Sequence, residues 1–200
     1  MAEGQQRVQQ LACRRCHTVG GLGNRLATDL DRTVWKRDQR DLAKSIGQPA
    51  ANMPRFGLDE RQTQAVIAFL LKSADPEVSE ATYRVRFSRG GLNAESIFGS
   101  RCGGCHSALG PSGLLGKGSA GPNLSGLFTL YYPATASENL TWTPDALGKW
   151  LVNPRAERLC AGMRPVQLEA GELVRLSGEL GWVPPKSRCA ESSFRLENGG

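Results

Sequence analysis

Histidine and methionine are scarce in this chain of 200 residues, which has two of the first and three of the second. Chemistry that uses histidines freely, such as polynuclear metal sites or imidazole acid–base pairs, is excluded unless both residues are committed to it. Long apolar runs are missing too: the longest, Ala65 to Leu71, falls far short of the roughly 20 residues needed to cross a bilayer. Met1-Ala2-Glu3-Gly4-Gln5 lacks the apolar core of an export leader. Nor is there a run of one charge. The 25 Lys and Arg exceed the 19 Asp and Glu by six, but the arginines are scattered among acidic residues and form no stripe. That excludes a nucleic-acid face and fits somewhat acidic protein partners.

What the chain does have is cysteine in a fixed pattern. Four of its six cysteines lie in Cys13-Arg14-Arg15-Cys16-His17 and Cys102-Gly103-Gly104-Cys105-His106. Each stretch reads C-x-x-C-H, the attachment signature of a c-type haem, in which both thiols form thioethers and the histidine binds iron. Two motifs imply two haem c groups. A zinc clamp made from all four cysteines would need the two distant pairs to meet. A redox dithiol has no need of a histidine beside its second cysteine. Haem is attached to C-x-x-C-H outside the bacterial cytoplasm, so a periplasmic or otherwise extracytoplasmic location is expected. A leader, with or without a lipid anchor, would then have been removed. The remaining pair, Cys160 and Cys189, suits that oxidising setting as a disulfide.

The length allows one large or two small domains, and the motif spacing favours two. The expected boundaries are 1–78 and 93–183, with a linker at 79–92 and a tail at 184–200. A helix from Glu3 to Cys16, with Val8 and Leu11 on one side, leads into the first motif. The turn Gly20-Gly21-Leu22-Gly23-Asn24 suits a chain passing close to a flat cofactor. Asp38 caps a helix carrying Leu42 and Ile46 that stops at Gly47. Asp59 caps another from Glu60 to about Lys72, with Val66, Phe69 and Leu70 inward. After the polar linker, with an extended piece at Tyr83 to Phe87, the plan repeats. Asn93 caps a helix through Ile97 and Phe98, a Gly-rich loop runs from Leu109 to Gly126, and Thr143-Pro144 opens a helix that ends before Pro154. Leu168 to Leu180 forms the last helix, closed by Gly181.

The repeat has an arithmetic form. The motifs are offset by 89 (102 − 13) and the methionines by 110 (163 − 53), so the second half holds 21 more residues between histidine and methionine. They are expected to enlarge the loop with Tyr131 and Tyr132. Both histidines are consumed as His17 and His106, which excludes histidine on both faces of either iron within one chain. Met53 and Met163 fall once per repeat, before the last helix, and are the candidate opposing ligands. Their plainer role would be to fill core gaps. Imidazole opposite thioether is an electron-transfer ligand set.

At this point the chain resembles the class I cytochrome c family in tandem, over nearly all of residues 5 to 182. The second half is the closer match, through Cys102–His106, Gly121-Pro122-Asn123-Leu124-Ser125-Gly126-Leu127-Phe128, Leu140-Thr141-Trp142, Asn153-Pro154 and Gly162-Met163. The resemblance implies an all-α fold of two small helical bundles, each wrapped around one covalently attached haem. It also implies that the Pro122 carbonyl orients His106. The first half is similar to shorter bacterial members through Met53-Pro54-Arg55-Phe56, but Thr28 replaces the proline. In the second half Arg164 intervenes between Met163 and Pro165.

Cys160, three residues before Met163, admits three readings: a disulfide to Cys189, a thiolate ligand in place of Met163, or an unpaired buried thiol. The second would be similar to thiosulfate dehydrogenases. Trp142, Trp150 and Trp182 read as haem wall and core, with an electron relay as the alternative. The expected function is electron carriage in a respiratory or extracytoplasmic redox chain, passing electrons to redox partner proteins such as a membrane-bound quinol-oxidising or reductase complex. The alternatives are a dihaem oxidoreductase, peroxidase-like or acting on a sulfur compound, and the cytochrome subunit of a larger reductase.

Overall fold

The computed structural model describes residues 2–50, 53–75, 77, 96–136 and 140–184. The expected linker with its extended piece, the Asn93 cap, Cys189 and all of the tail but residue 184 lie outside the described residues.

The first helix, α1 (Ala2–Gln10), is shorter than its apolar spacing predicts. Ala12 adopts a left-handed conformation at φ 51°, which an α-helix cannot absorb, and the chain re-forms as a 3-10 turn over Cys13–Arg15. Val8 is buried as expected, against α4 (Glu60–Ser73). The crossing depends on Gly4, because an added Cβ would strike the Ala65 carbonyl and Phe69. Asp59 caps α4 as expected and closes a full capping box. Its side chain accepts from Gln62 N at 2.7 Å, while its own N–H donates to Gln62 Oε1 at 3.2 Å.

Between these helices lie α2 (Leu30–Thr33), a short 3-10 turn over Val34–Lys36 and α3 (Gln39–Gly47), the last capped by Asp38. The turn after the first motif has a purpose that its glycines alone do not disclose. Gly20 and Gly21, both at positive φ, donate their N–H groups to the carboxylate of Asp31 at 2.6 and 2.9 Å. Asp31 is 0% exposed, so the turn is an anion nest for a buried side chain.

The second half begins with a π-helical turn over Phe98–Cys102 where a regular helix is expected. Two strands follow, β1 (Ala108–Gly110) and β2 (Gly113–Leu115), paired antiparallel with Ala108 opposite Leu115. This hairpin corrects the expected loop and adds a small sheet to the helical fold. Then come α5 (Pro144–Val152), capped by Thr143, and α6 (Pro154–Glu157), a short helix that was not expected and is capped by Asn153.

The last helix, α7 (Glu172–Glu179), starts later than the leucine spacing predicts, because Gly171 enters it left-handed at φ 82°. Half of the first repeat's capping box survives: Glu169 N–H donates to Glu172 Oε2 at 2.9 Å, 110 residues beyond the Asp59–Gln62 pair. Glu179, near the other end of α7, accepts from Ser96 Oγ and from the N–H groups of Ile97 and Phe98 at 2.8–2.9 Å. These bonds tie α7 to the segment entering the second motif. Buried apolar side chains form two clusters, one around Val8, Ile67 and Leu70 and one around Phe98, Leu151 and Leu176.

A pH dependence follows from Glu172. The Glu169 N–H bond, followed by Arg101 at 3.6 Å, holds its carboxyl below the usual carboxylate range. A group whose folded pKa is depressed stabilises the fold above its unfolded pKa of about 4.3 and loses that contribution as pH falls through the folded value. The difference in unfolding midpoint between Glu172→Gln and the parent should therefore be largest at neutral pH and shrink below about pH 4. A pH series of urea melts measures it.

Candidate functional site

Cys13 and Cys16 stand on the 3-10 turn and its exit, with His17 directly after. Cys102 and Cys105 flank the end of the π-helical turn, with His106 next. The main chain folds back over each motif in the same way. Cys16 O accepts from Ala27 N at 2.8 Å, and Cys105 O accepts from Gly121 N at 2.8 Å. One residue further on, His17 Nδ1 bonds the Thr28 carbonyl at 2.6 Å and His106 Nδ1 bonds the Pro122 carbonyl at 2.8 Å.

A carbonyl can only accept, so Nδ1 carries the proton and Nε2 presents its lone pair, the form in which imidazole ligates iron. Thr28 serves as well as a proline because the group used belongs to the backbone. The histidine-to-carbonyl separation grows from 11 residues in the first half to 16 in the second. The β1–β2 hairpin therefore accommodates five of the 21 extra residues, and only the other 16 lie beyond it.

The two rings differ in cover. His17 is half-buried and its pKa is lowered by loss of solvent, against the opposing pull of the Thr28 bond. His106 is 8% exposed and lies flat against Gly121, where an added Cβ would collide with the imidazole. Burial pushes the Cys13 thiol up to about 11 and the Cys102 thiol, with help from the charges of Glu179 and Cys105, also to about 11. Cys16 is raised by burial as well. Groups held as neutral thiols are poor redox dithiols. Among the described residues no three His, Cys, Asp or Glu side chains gather where a metal ion could sit, so the four-cysteine zinc clamp has no geometric basis.

The methionines occupy different surroundings. Met53 is half-buried in a bend. Met163 packs on the second core cluster, and its sulfur accepts a hydrogen bond from Trp150 Nε1 at 3.1 Å. Trp142 meets Trp150 edge-on at 5.7 Å, so these two indoles form a wall beside Met163. Cys160 is exposed with a free thiol, unlike the buried thiol among the three readings, and Cys189 is not described.

Three further residues had no distinguishing pattern in the sequence. Arg15, inside the first motif, donates to the Asn123 carbonyl at 3.2 Å and lies 5.2 Å from the centre of the Tyr132 ring. Asn24 Nδ2 donates to Arg15 O at 2.9 Å and to Thr129 Oγ1 at 3.0 Å. Ser125, fully buried, accepts from Leu109 N at 2.7 Å, and its own N–H donates to Asn123 Oδ1 at 3.0 Å.

The residues present fit a covalently held haem at each motif. Each provides two thiols and an imidazole with its Nδ1 engaged, and the Gly121 face leaves room for the His106 ring. Comparison with known proteins bears on the first half. Residues 1–70 match the family model described as cytochrome C oxidase, cbb3-type, subunit III. That match indicates a c-type cytochrome domain, and such a domain implies haem c and fits electron transfer. No curated protein and no solved structure matches the chain. Among the described residues no helix is long and apolar enough to cross a membrane.

Proposed function

We propose that the chain is a dihaem c-type cytochrome carrying single electrons in an extracytoplasmic, respiratory redox chain. Cys13, Cys16 and His17 hold one haem c, and Cys102, Cys105 and His106 hold the other, in domains spanning 1–78 and 93–183. The observation that carries this reading is the repeated histidine geometry, with Nδ1 on a backbone carbonyl at 2.6 Å in one half and 2.8 Å in the other.

Haem c, when bound, supplies reversible one-electron chemistry at iron, and a thioether opposite imidazole favours the reduced state. Met53 and Met163 are the opposing ligands in this reading. Thr28 and Pro122 fix the tautomer and raise the basicity of the imidazoles. No histidine remains to act as acid or base, which favours carriage over catalysis. Redox proteins of the same compartment, a membrane-bound quinol-oxidising or reductase complex among them, are the proposed partners. The description of the matching family as an oxidase subunit favours a second reading, a cytochrome subunit of a larger complex.

Intact-mass analysis after expression in a haem-attaching, periplasmic host tests the proposal. The parent should carry two porphyrins, and Cys13→Ser/Cys16→Ser and Cys102→Ser/Cys105→Ser should each carry one. A weak far-red band in the oxidised spectrum should mark methionine on both irons. A high-spin spectrum with rapid cyanide binding would favour a dihaem enzyme, and loss of the second axial bond in Cys160→Ser would favour thiolate ligation there.

A further inference from the structure

The two motifs are 89 residues apart in sequence, yet the structure joins them. Arg15 of the first motif donates to the Asn123 carbonyl, and the preceding carbonyl, that of Pro122, holds His106 Nδ1. Asn24, seven residues past His17, donates its amide to Arg15 O at 2.9 Å and to Thr129 Oγ1 of the second half at 3.0 Å. Gly126, left-handed at φ 67°, sits so close to the Arg15 carbonyl and Asn24 that a Cβ would strike the Asn24 amide nitrogen at 2.6 Å. The guanidinium faces no carboxylate across an ion pair among the described residues, and its Nε is buried with no hydrogen-bond partner there. A half-buried guanidinium with one nitrogen shut off from any partner is costly unless its position is used.

We infer that Arg15 couples the two sites: anchored on the first motif, it fixes the Pro122–Asn123 backbone that orients His106, so that a redox change at either site is felt at the other. This rests on the two-haem reading and adds to it a communication path through the chain's own residues. Ordering of the 122–123 backbone sets how strongly Pro122 holds Nδ1–H, and that bond sets the basicity of the imidazole as a ligand. Linkage makes the effect reciprocal: whatever reduction at one site does to electron affinity at the other must occur by the same factor in reverse. Asn24 gives a second contact between the two halves. The seam is therefore a link between cofactor sites as well as a packing surface. One electron passes in each reduction step, and the seam itself gains or loses no proton.

The test uses the full holo-chain with Arg15→Ala, Arg15→Lys and Asn24→Ala. Intact mass first reports the porphyrin count, and a count below two overturns the two-haem reading alone. Potentiometric titration with spectra then measures the interaction between sites. The parent should show an interaction of roughly fivefold or more in electron affinity, and Arg15→Ala should bring it close to none, with the second-site midpoint displaced. Asn24→Ala should weaken it in part, and Arg15→Lys should restore the charge but not the interaction, because an ammonium cannot reproduce the planar fork. Calorimetry supplies a reading that needs no haem: one unfolding transition in the parent should separate into two in Arg15→Ala. Midpoints, interaction and unfolding all unchanged in Arg15→Ala and Asn24→Ala would overturn the coupling.

Discussion

A chain carrying Gly121→Val is expected to leave a haem-attaching host with one covalent porphyrin, the one at the first motif. The prediction starts from the cover over His106. The ring is 8% exposed, and the place where a Cβ on Gly121 would go is already filled by imidazole atoms. Backbone bonds pin Gly121 from one side through Cys105 O at 2.8 Å, and the Pro122 carbonyl pins the ring from the other at 2.8 Å, so neither can give way without breaking a bond. Overpacking a closed site costs about 1–3 kcal/mol, and loss of the Nδ1 bond adds about 1 kcal/mol more.

The first half shows what a milder change would do. Ala27 occupies the corresponding position there, bonded to Cys16 O at 2.8 Å, and the ring it accompanies, His17, is only half-buried. Gly121→Ala should thus expose His106 to about the degree of His17 and keep both porphyrins, whereas valine should not. Gly104→Ala is the control, since nothing lies within 4 Å of a Cβ at that glycine of the same motif. Intact mass separates the three variants. Retention of two porphyrins by the valine variant would show that the ring does not lie against Gly121.

What could be read from the sequence was local. Asp38, Asp59 and Thr143 each precede an apolar periodicity and cap the helix expected there, because cap and helix lie within one turn of each other. Leu168–Leu180 misled by three or four residues because the leucines report which face is inward, not where the backbone begins to turn, and Gly171 decides that. The Gly110-Pro111-Ser112-Gly113 turn was a hairpin signal embedded in a glycine-rich stretch that looked like loop throughout. Thr28 looked like a departure at the site, yet only its carbonyl is used there. Partners distant in sequence were illegible. Arg15 and Asn123 are 108 residues apart, and nothing in either neighbourhood announces the other. Placing one side of the site therefore required only the spacing, and placing the seam required the fold.

Asp31→Ala is expected to cost the first half about 3–6 kcal/mol, from two charge-assisted hydrogen bonds lost at about 1.5–3 kcal/mol each. The side chain is fully buried, 0% exposed, and takes Gly20 N–H at 2.6 Å on one oxygen and Gly21 N–H at 2.9 Å on the other. A side-chain amide in its place could accept only one of these, because the amide nitrogen would face a second donor, so Asp31→Asn should fall between the parent and Asp31→Ala. The two donors sit three and four residues after His17, on the turn whose next glycine, Gly23, packs against the His17 carbonyl. For a half-chain of this size the alanine variant should lower the unfolding of the first half by on the order of 15 °C. The second half has a core cluster of its own, so its unfolding should lag behind as a separate, hotter transition. Calorimetry on the holo-chain reads both. A shift of a few degrees or less in the alanine variant would mean that water, and not Asp31, satisfies Gly20 and Gly21, and that the carboxylate does not hold the turn behind the first motif.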